Sequence, residues 1–294
     1  MVLKAFVEGG IASVVAGCST HPLDLIKVRM QLQGELNVGA PKGGPLAVGI
    51  RVIQTEGSMA LFSGVSATMM RQLLYSTTRM GLYDIFKENW KEKGSSNLPL
   101  FKKIAAGLLA GGIGAAVGNP ADVAMVRMQA DGRLPLEQRR NYKSVADAVA
   151  QMVRQEGVTS LWTGSALTVQ RAMIVTASQL ASYDQFKESI LSHHLMADGI
   201  GTHVTASFGA GFVAAVASNP VDVIKTRIMN MKSDPGQPAP YSGALDCALK
   251  TVKAEGPMAL YKGFIPTVTR QGPFTVVLFV VLEQVRKILK DFDF

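Results

Sequence analysis

The chain has 294 residues, 48% hydrophobic and 18% charged, with 30 basic against 22 acidic side chains, a formal charge of +8 and a mean hydropathy of +0.20. That apolar content excludes a disordered chain, and two cysteines, Cys18 and Cys247, without a CxxC or Cys/His cluster exclude a disulfide framework and a zinc module. Many of the 29 glycines cluster inside apolar runs, where each costs a soluble helix ~1 kcal/mol relative to alanine; membrane helices use glycine for close packing, so the composition favours a membrane protein over a nucleic-acid binder.

Met1-Val-Leu-Lys-Ala-Phe leads straight into the first apolar run without the cleavage pattern of a secretory signal, so any organelle address is expected inside the mature chain. Gly9–Asp24 is uncharged until its aspartate and passes into His21-Pro22-Leu23-Asp24-Leu25-Ile26-Lys27-Val28-Arg29. Pro22 lacks a backbone donor and predicts a kink. Beyond it Asp24 and Lys27 share a helix face, enough for a local i,i+3 pair. A polar loop (Gly34–Pro45) and a short amphipathic helix lead to Glu56-Gly57, then Phe62 and Gly64. A second long helix, near 65–90, carries Arg71 and Arg79 and ends at Tyr83-Asp84 and Lys87.

The same order recurs twice. Ile104–Ala121 is uncharged and meets Asn119-Pro120-Ala121-Asp122-Val123-Ala124-Met125-Val126-Arg127; a loop (Asp131–Tyr142) leads to Glu156-Gly157, Trp162 and Gly164; a helix near 165–190 carries Arg171 and ends at Tyr183-Asp184 and Lys187. Thr205–Val221 meets Asn219-Pro220-Val221-Asp222-Val223-Ile224-Lys225-Thr226-Arg227; a loop (Ser233–Tyr241) leads to Glu255-Gly256, Tyr261 and Gly263; a helix near 264–289 carries Arg270 and ends at Leu282-Glu283 and Arg286. The prolines are 98 and 100 residues apart, and the Glu-Gly pairs and the terminal acids each 100 and 99. Three motifs in one register make a tandem triplication, with repeats at 1–98, 99–198 and 199–294, six long helices and three short ones. Pro120 and Pro220 predict the same kink as Pro22. A stripe of small residues (Gly9, Ser13, Gly17; Gly107, Gly111, Ala115; Ser207, Gly211, Ala215) occupies one face of each first helix and predicts close helix packing there.

Arg71, Arg171 and Arg270 are also in register. Arg71 lies 13 residues before Asp84, or ~20 Å along a helix, well inside a ~30 Å hydrocarbon core. A charge at that depth faces a water-filled cavity and marks a substrate path. Arg79 adds a fourth cation ~12 Å further on. With no matching acids expected at that level, guanidinium forks predict an anion site for carboxylate or phosphate. No hydrolytic triad, Walker loop or metal cluster is visible, and His193-His194 reads as a solvated pair. Neither an enzyme nor a cofactor is expected.

Pro-x-Asp-x-x-Lys-x-Arg followed by Glu-Gly-x4-aromatic-x-Gly, in three copies over the whole chain, resembles the mitochondrial carrier family. The resemblance implies an all-α bundle of six transmembrane helices and three short matrix-side helices in pseudo-threefold order, in the inner mitochondrial membrane, with both termini cytoplasmic. It implies a monomer that works by alternating access among membrane lipids, cardiolipin included, with no nucleic-acid partner. Asp24, Lys27, Asp122, Asp222 and Lys225 then form a matrix gate, an acid of one repeat meeting a base of the next, braced by Gln31 and Gln129; Met229 replaces the third brace. Asp84, Lys87, Asp184, Lys187, Glu283 and Arg286 form the cytoplasmic gate, braced by the hydroxyls of Tyr83 and Tyr183 but not by Leu282. The matrix set departs from the pattern at Met125, which stands where Lys27 and Lys225 stand. Asp122–Lys225 and Asp222–Lys27 are expected to form, and Asp24 is expected without its lysine, reached by water or by Arg29 or Arg127.

By the same resemblance Arg71, Arg79, Arg171 and Arg270 fall at substrate contacts, and an arginine in every repeat looks like carriers of small dianions: malate, oxaloacetate, succinate, phosphate, sulfate. The uncoupling-protein branch shares it, and overall the chain most resembles plant uncoupling-protein-like dicarboxylate carriers. The Arg-Arg-Arg-Met-Met-Met string of ADP/ATP carriers is absent; Glu283-Gln284-Val285-Arg286-Lys287 stands there. The expected function is dianion exchange. The alternative is a regulated proton leak, which a cavity carboxyl would favour, but position 179 is glutamine. A scaffold that has lost transport is disfavoured by the intact gate residues.

Overall fold

The structure, a computed structural model, describes residues 2–35, 43–90, 100–193, 199–232 and 239–288. The expected repeat boundaries at 98/99 and 198/199, parts of the first and third loops, and His194 lie outside or at the edge of these. Among the described residues the chain is helical: α1 (Val2–Ser19), α2 (His21–Gln31), α3 (Pro45–Glu56), α4 (Val65–Asn89), α5 (Leu100–Asp131), α6 (Val145–Glu156), α7 (Ser165–Ser192), α8 (Ile200–Asn230), α9 (Ala244–Glu255) and α10 (Phe264–Ile288). The pair α1/α2 with α4, α5, α7, α8 and α10 are the six long segments; α3, α6 and α9 are the short ones.

The long segments close a ring: α1 packs on α4, α4 on α5, α5 on α7, α7 on α8, α8 on α10, and α10 back on α1. Among the described residues three stretches, Ala105–Asp131, Gly201–Asn230 and Pro257–Val285, are long and apolar enough to cross a membrane. The expected spans α4 and α7 fall short of that apolarity because polar groups interrupt them: Arg71, Gln72 and Arg79 in one, Gln170, Arg171 and Gln179 in the other. Apolar side chains at helical spacing, Leu109, Ile113 and Val117 on α5 and Val204 and Phe208 on α8, are exposed and suit a lipid surface.

Small residues let the helices approach. The buried set is Ala12 and Ala16, Ala106, Ala110 and Gly114, and Ala206, Ala210 and Ala214, one residue before the expected stripe. A Cβ on Gly114 would sit 3.4 Å from Arg79 of α4. The expected stripe packs only near the prolines, where Gly17, Ala115, Gly211 and Ala215 are buried; a methyl added at Gly9, Gly107 or Gly111 would meet nothing within 4 Å.

The prolines do not act alike. At Pro22 the helix breaks, with Thr20 between α1 and α2 and the proline in the first turn of α2, where its missing donor costs nothing. Pro120 and Pro220 lie inside unbroken helices. Pro120 cannot donate to the carbonyl of Ala116, and the indole Nε1 of Trp162 takes that carbonyl at 3.2 Å. The residue before each proline ties the helix to the turn ahead of the next long helix: His21 Nε2 to Ser63 O at 2.9 Å, Asn119 Nδ2 to Leu161 O and Asn219 Nδ2 to Leu260 O, both 2.8 Å.

The short helices bury one face each (Val48 and Val52, Ala148 and Met152, Cys247 and Thr251) and stop at the glycine of each Glu-Gly pair. Gly263 shows why the second motif glycine is needed. Its φ is +83°, and a Cβ there would lie 2.9 Å from Gln31 Cγ and 3.1 Å from Lys27 O. Gly64 likewise abuts Gln129, and Gly164 abuts Met229, so each repeat seats its last turn on the next repeat's brace position.

Candidate functional site

Two polar layers cross the end of the bundle that carries the prolines. In the inner layer Lys27 Nζ lies 2.8 Å from Asp222 and Lys225 Nζ 3.0 Å from Asp122. These link α2 to α8 and α8 to α5, the two pairs expected from the sequence. The same acids take the in-register arginines: Arg71 pairs with Asp122, Arg171 with Asp222, and Arg270 Nε with Asp24 at 2.8 Å. Two expectations are corrected here. The arginines do have matching acids, because Arg71 is only seven residues beyond Gly64, ~10 Å along the helix, so its long side chain reaches the acid layer; counting from Asp84 hid this. Asp24 is also not left to water, Arg29 or Arg127, since Arg270 reaches it.

Met125 packs in the apolar cluster of this end and receives a hydroxyl contact from Thr68 at 3.3 Å. Among the described residues the side chains at the brace positions make no hydrogen bond to these inner pairs. Gln31 accepts from Thr226 Oγ1 at 2.7 Å, and Gln129 is buried with no hydrogen-bonding partner for its amide among the described residues. The cavity above the ring, about 120 Å³, is lined by Asp24, Asp122 and Asp222 together with Lys27, Lys225, Arg71, Arg171 and Arg270. Five cations face three carboxylates, a surplus of two positive charges.

Arg79 is different. It is exposed, its guanidinium lies 5.8 Å from the Tyr75 ring, and it lines a separate cavity of about 110 Å³ with Gly107, Gly111 and Met173. No ion pair holds it among the described residues.

The outer layer was not singled out from the sequence. Arg29 pairs with Glu56, Arg127 with Glu156 and Arg227 with Glu255 in bidentate fashion, with second contacts of 2.7, 2.8 and 3.1 Å. Each arginine also donates its Nε to the brace residue of the next repeat: Arg29 to Gln129 O at 3.1 Å, Arg127 to Met229 O at 3.0 Å, Arg227 to Gln31 O at 3.3 Å. Arg127 and Arg227 are almost fully buried. The signal lay in the register: motif arginine and Glu-Gly glutamate are 27, 29 and 28 residues apart.

At the far end Asp84 is half-buried and Lys87, Asp184 and Glu283 are exposed. Glu283 pairs with Lys287 one turn on, at 2.9 Å, not with a base of another repeat as expected. Lys187 has a partner, and the side chain of Arg286 lies outside those described. The Tyr183 hydroxyl meets His203 Nδ1 of α8 rather than an ion pair, and Tyr83 is half-buried. Gln179 is exposed on α7.

The description "mitochondrial carrier protein" fits residues 1–94, 96–194 and 197–293. "Mitochondrial uncoupling protein 5" of Arabidopsis thaliana is 68% identical, covering 100% of both chains. "Probable mitochondrial 2-oxoglutarate/malate carrier protein" of Dictyostelium discoideum is 48% identical over 98% of this chain and 90% of its own. "Mitochondrial dicarboxylate carrier" of Caenorhabditis elegans is 41% identical over 95% of this chain and 91% of its own.

Proposed function

The chain belongs to the mitochondrial carrier protein family, multi-pass transporters of the inner mitochondrial membrane, and on that premise we propose that it exchanges small dianions, with malate, oxaloacetate, succinate, phosphate and sulfate as the candidate set. The observation that carries this reading is the surplus of two positive charges in the central cavity. A dianion entering between Arg71, Arg171 and Arg270 balances it, and each guanidinium offers a charge-assisted, two-pronged contact. The Dictyostelium and Caenorhabditis relatives are named as carriers of dicarboxylates, in keeping with that substrate class.

The ion-paired proline end is the matrix gate in its closed state, and the opposite end is the cytoplasmic entrance. Asp84, Lys87, Asp184, Lys187, Glu283 and Arg286 close that entrance in the opposite state. Arg79, held by no carboxylate among the described residues, attracts the anion on its way down. Binding works against the gate because the cavity arginines cannot serve the gate acids and the substrate equally. Part of the binding energy is then spent on opening, as alternating access requires.

The test is uptake into liposomes reconstituted with the purified chain and preloaded with malate, phosphate, ATP or aspartate. Malate- and phosphate-loaded vesicles should exchange, and ATP-loaded ones should not. Strong ATP exchange with no dicarboxylate exchange sinks the reading.

One observation favours a second reading, the proton leak: the Arabidopsis relative is named an uncoupling protein. A leak through this cavity needs a carboxyl free to carry a proton, whereas Asp24, Asp122 and Asp222 are each ion-paired and Gln179 offers an amide. Proton flux without any dianion, measured in the same vesicles, separates the two.

A further inference from the structure

The acid ring is uneven. Asp122 is held by Lys225 and Arg71, and Asp222 by Lys27 and Arg171. Asp24 has no gate lysine, because Met125 occupies that position and its side chain lies in the apolar cluster. The base that reaches Asp24 among the described residues is Arg270, at 2.8 Å. Arg270 is itself steadied for this job: its guanidinium lies over the Phe274 ring at 5.2 Å, and its Nε is 3.5 Å from Thr20 Oγ1, at the break between α1 and α2.

We propose that Arg270 replaces the lysine missing from the second repeat, serving as the base of the third gate pair as well as a ligand for the anion. This rests on the dianion reading above. The three cavity arginines are then unequal. A dianion that draws Arg71 or Arg171 away leaves Asp122 or Asp222 with its lysine. A dianion that draws Arg270 away leaves Asp24 without a base, and the seam between α2 and α10 comes undone. Capture of Arg270 is therefore the contact that converts binding into opening, and the gate opens first on the side of the first repeat. An arginine suits both tasks because its fork keeps its charge at any pH and can exchange one carboxylate for another of the same shape.

The gate claim can be read without any substrate, as the thermal midpoint of the detergent-purified chain. Arg270→Leu should lower the midpoint by about 2–4 °C more than Arg71→Leu or Arg171→Leu, whose acids keep a lysine. Adding Met125→Lys to Arg270→Leu should restore that loss by giving Asp24 a new base, while Met125→Lys alone should move the midpoint by less than about 1 °C. In an Asp24→Asn background, Arg270→Leu should cost nothing further. Malate uptake should stay lost in Arg270→Leu/Met125→Lys, because the lysine restores the gate but not the ligand. The proposal is overturned if Arg270→Leu costs as much in the Asp24→Asn background as in the wild type, or if Met125→Lys stabilises the wild type and Arg270→Leu equally. A chain that shows this midpoint pattern but exchanges no dianion keeps the gate assignment and loses the transport reading.

Discussion

The two ends of the bundle are built from the same three-copy sequence, yet they hold together differently. At the proline end, inter-repeat ion pairs lie above three bidentate Arg–Glu pairs whose arginines also grip the neighbouring repeat's backbone. At the far end Glu283–Lys287 lies within one helix and is mostly exposed, and Lys187 has a partner as well. A buried pair loses about 3–5 kcal/mol when one partner is removed, because a charge is left behind; an exposed pair is worth about 0–1 kcal/mol. The lesson is about sequence as much as energy. Repetition of charged motifs tells where ion pairs can form, while the side of the molecule that is shut decides which of them exist.

The largest effect should come from cutting the outer layer. Arg127→Ala leaves Glu156 buried and frees the carbonyls of Met229 and Met231. The expected loss of about 3–5 kcal/mol corresponds to a fall in thermal midpoint on the order of 10 °C, or to no recoverable folded protein. Glu283→Ala at the far end should shift the midpoint by less than about 2 °C. Equal shifts at the two ends would erase the contrast.

Next is the cavity. Arg171→Leu removes one charge-assisted contact worth about 1.5–3 kcal/mol, so malate uptake should fall roughly 10- to 100-fold in protein that still purifies as a folded species, since Lys27 remains on Asp222. Arg79→Leu, which breaks no ion pair seen among the described residues, should cost less, and its penalty should shrink as salt screens the attraction. Uptake by Arg171→Leu at the wild-type rate would place the substrate elsewhere.

Much of this site was legible, and the failures have physical causes. The Asp122–Lys225 and Asp222–Lys27 pairs were expected from the family resemblance; the residues alone left a local i,i+3 pair equally open. Asp24–Arg270 did not follow, since Arg270 took its expected depth by register from Arg71, which was counted from Asp84 at the far end of α4 rather than from Gly64. The outer Arg–Glu pairs were missed although both partners were in view: the glutamate was read as the end of a short helix, and its constant register with the motif arginine was not read as a contact across the loop. Trp162 was seen as an aromatic in register, not as a donor to the carbonyl that Pro120 leaves open.

A smaller effect concerns the charge of the cavity. Met125→Lys should raise the surplus from two to three and free Arg270 from Asp24. The ratio of citrate to malate uptake should then rise, by about fivefold if the added attraction is worth about 1 kcal/mol in a partly hydrated cavity. An unchanged ratio would show that shape, not charge balance, selects the substrate.

The smallest expected effect lies just outside the gate. Glu35 follows α2, is buried, and meets Asn230 and Tyr241 of the third repeat at 3.3 Å and Arg133 of the second at 3.4 Å. Burial pushes its carboxyl above the ordinary glutamate range, outweighing the lowering pull of Arg133 and Arg227. An acid raised in this way keeps its proton in the folded chain at a pH where the unfolded chain has released it. The folded state then binds more protons, and stability falls as pH rises from about 4.3, the ordinary value, to the folded value, and is flat beyond it. Glu35→Gln keeps an acceptor for Tyr241 and Asn230 but has no proton to lose. The pull of Arg133 is already part of that net upward shift, so the slope against pH is the measurement that decides. Thermal midpoints of wild type and Glu35→Gln between about pH 4 and pH 8 should converge at the acid end and separate in favour of the variant as pH rises. Parallel curves would mean that the Glu35 carboxyl titrates as though it were in water, and that this three-repeat contact is looser than the ring of acids beside it.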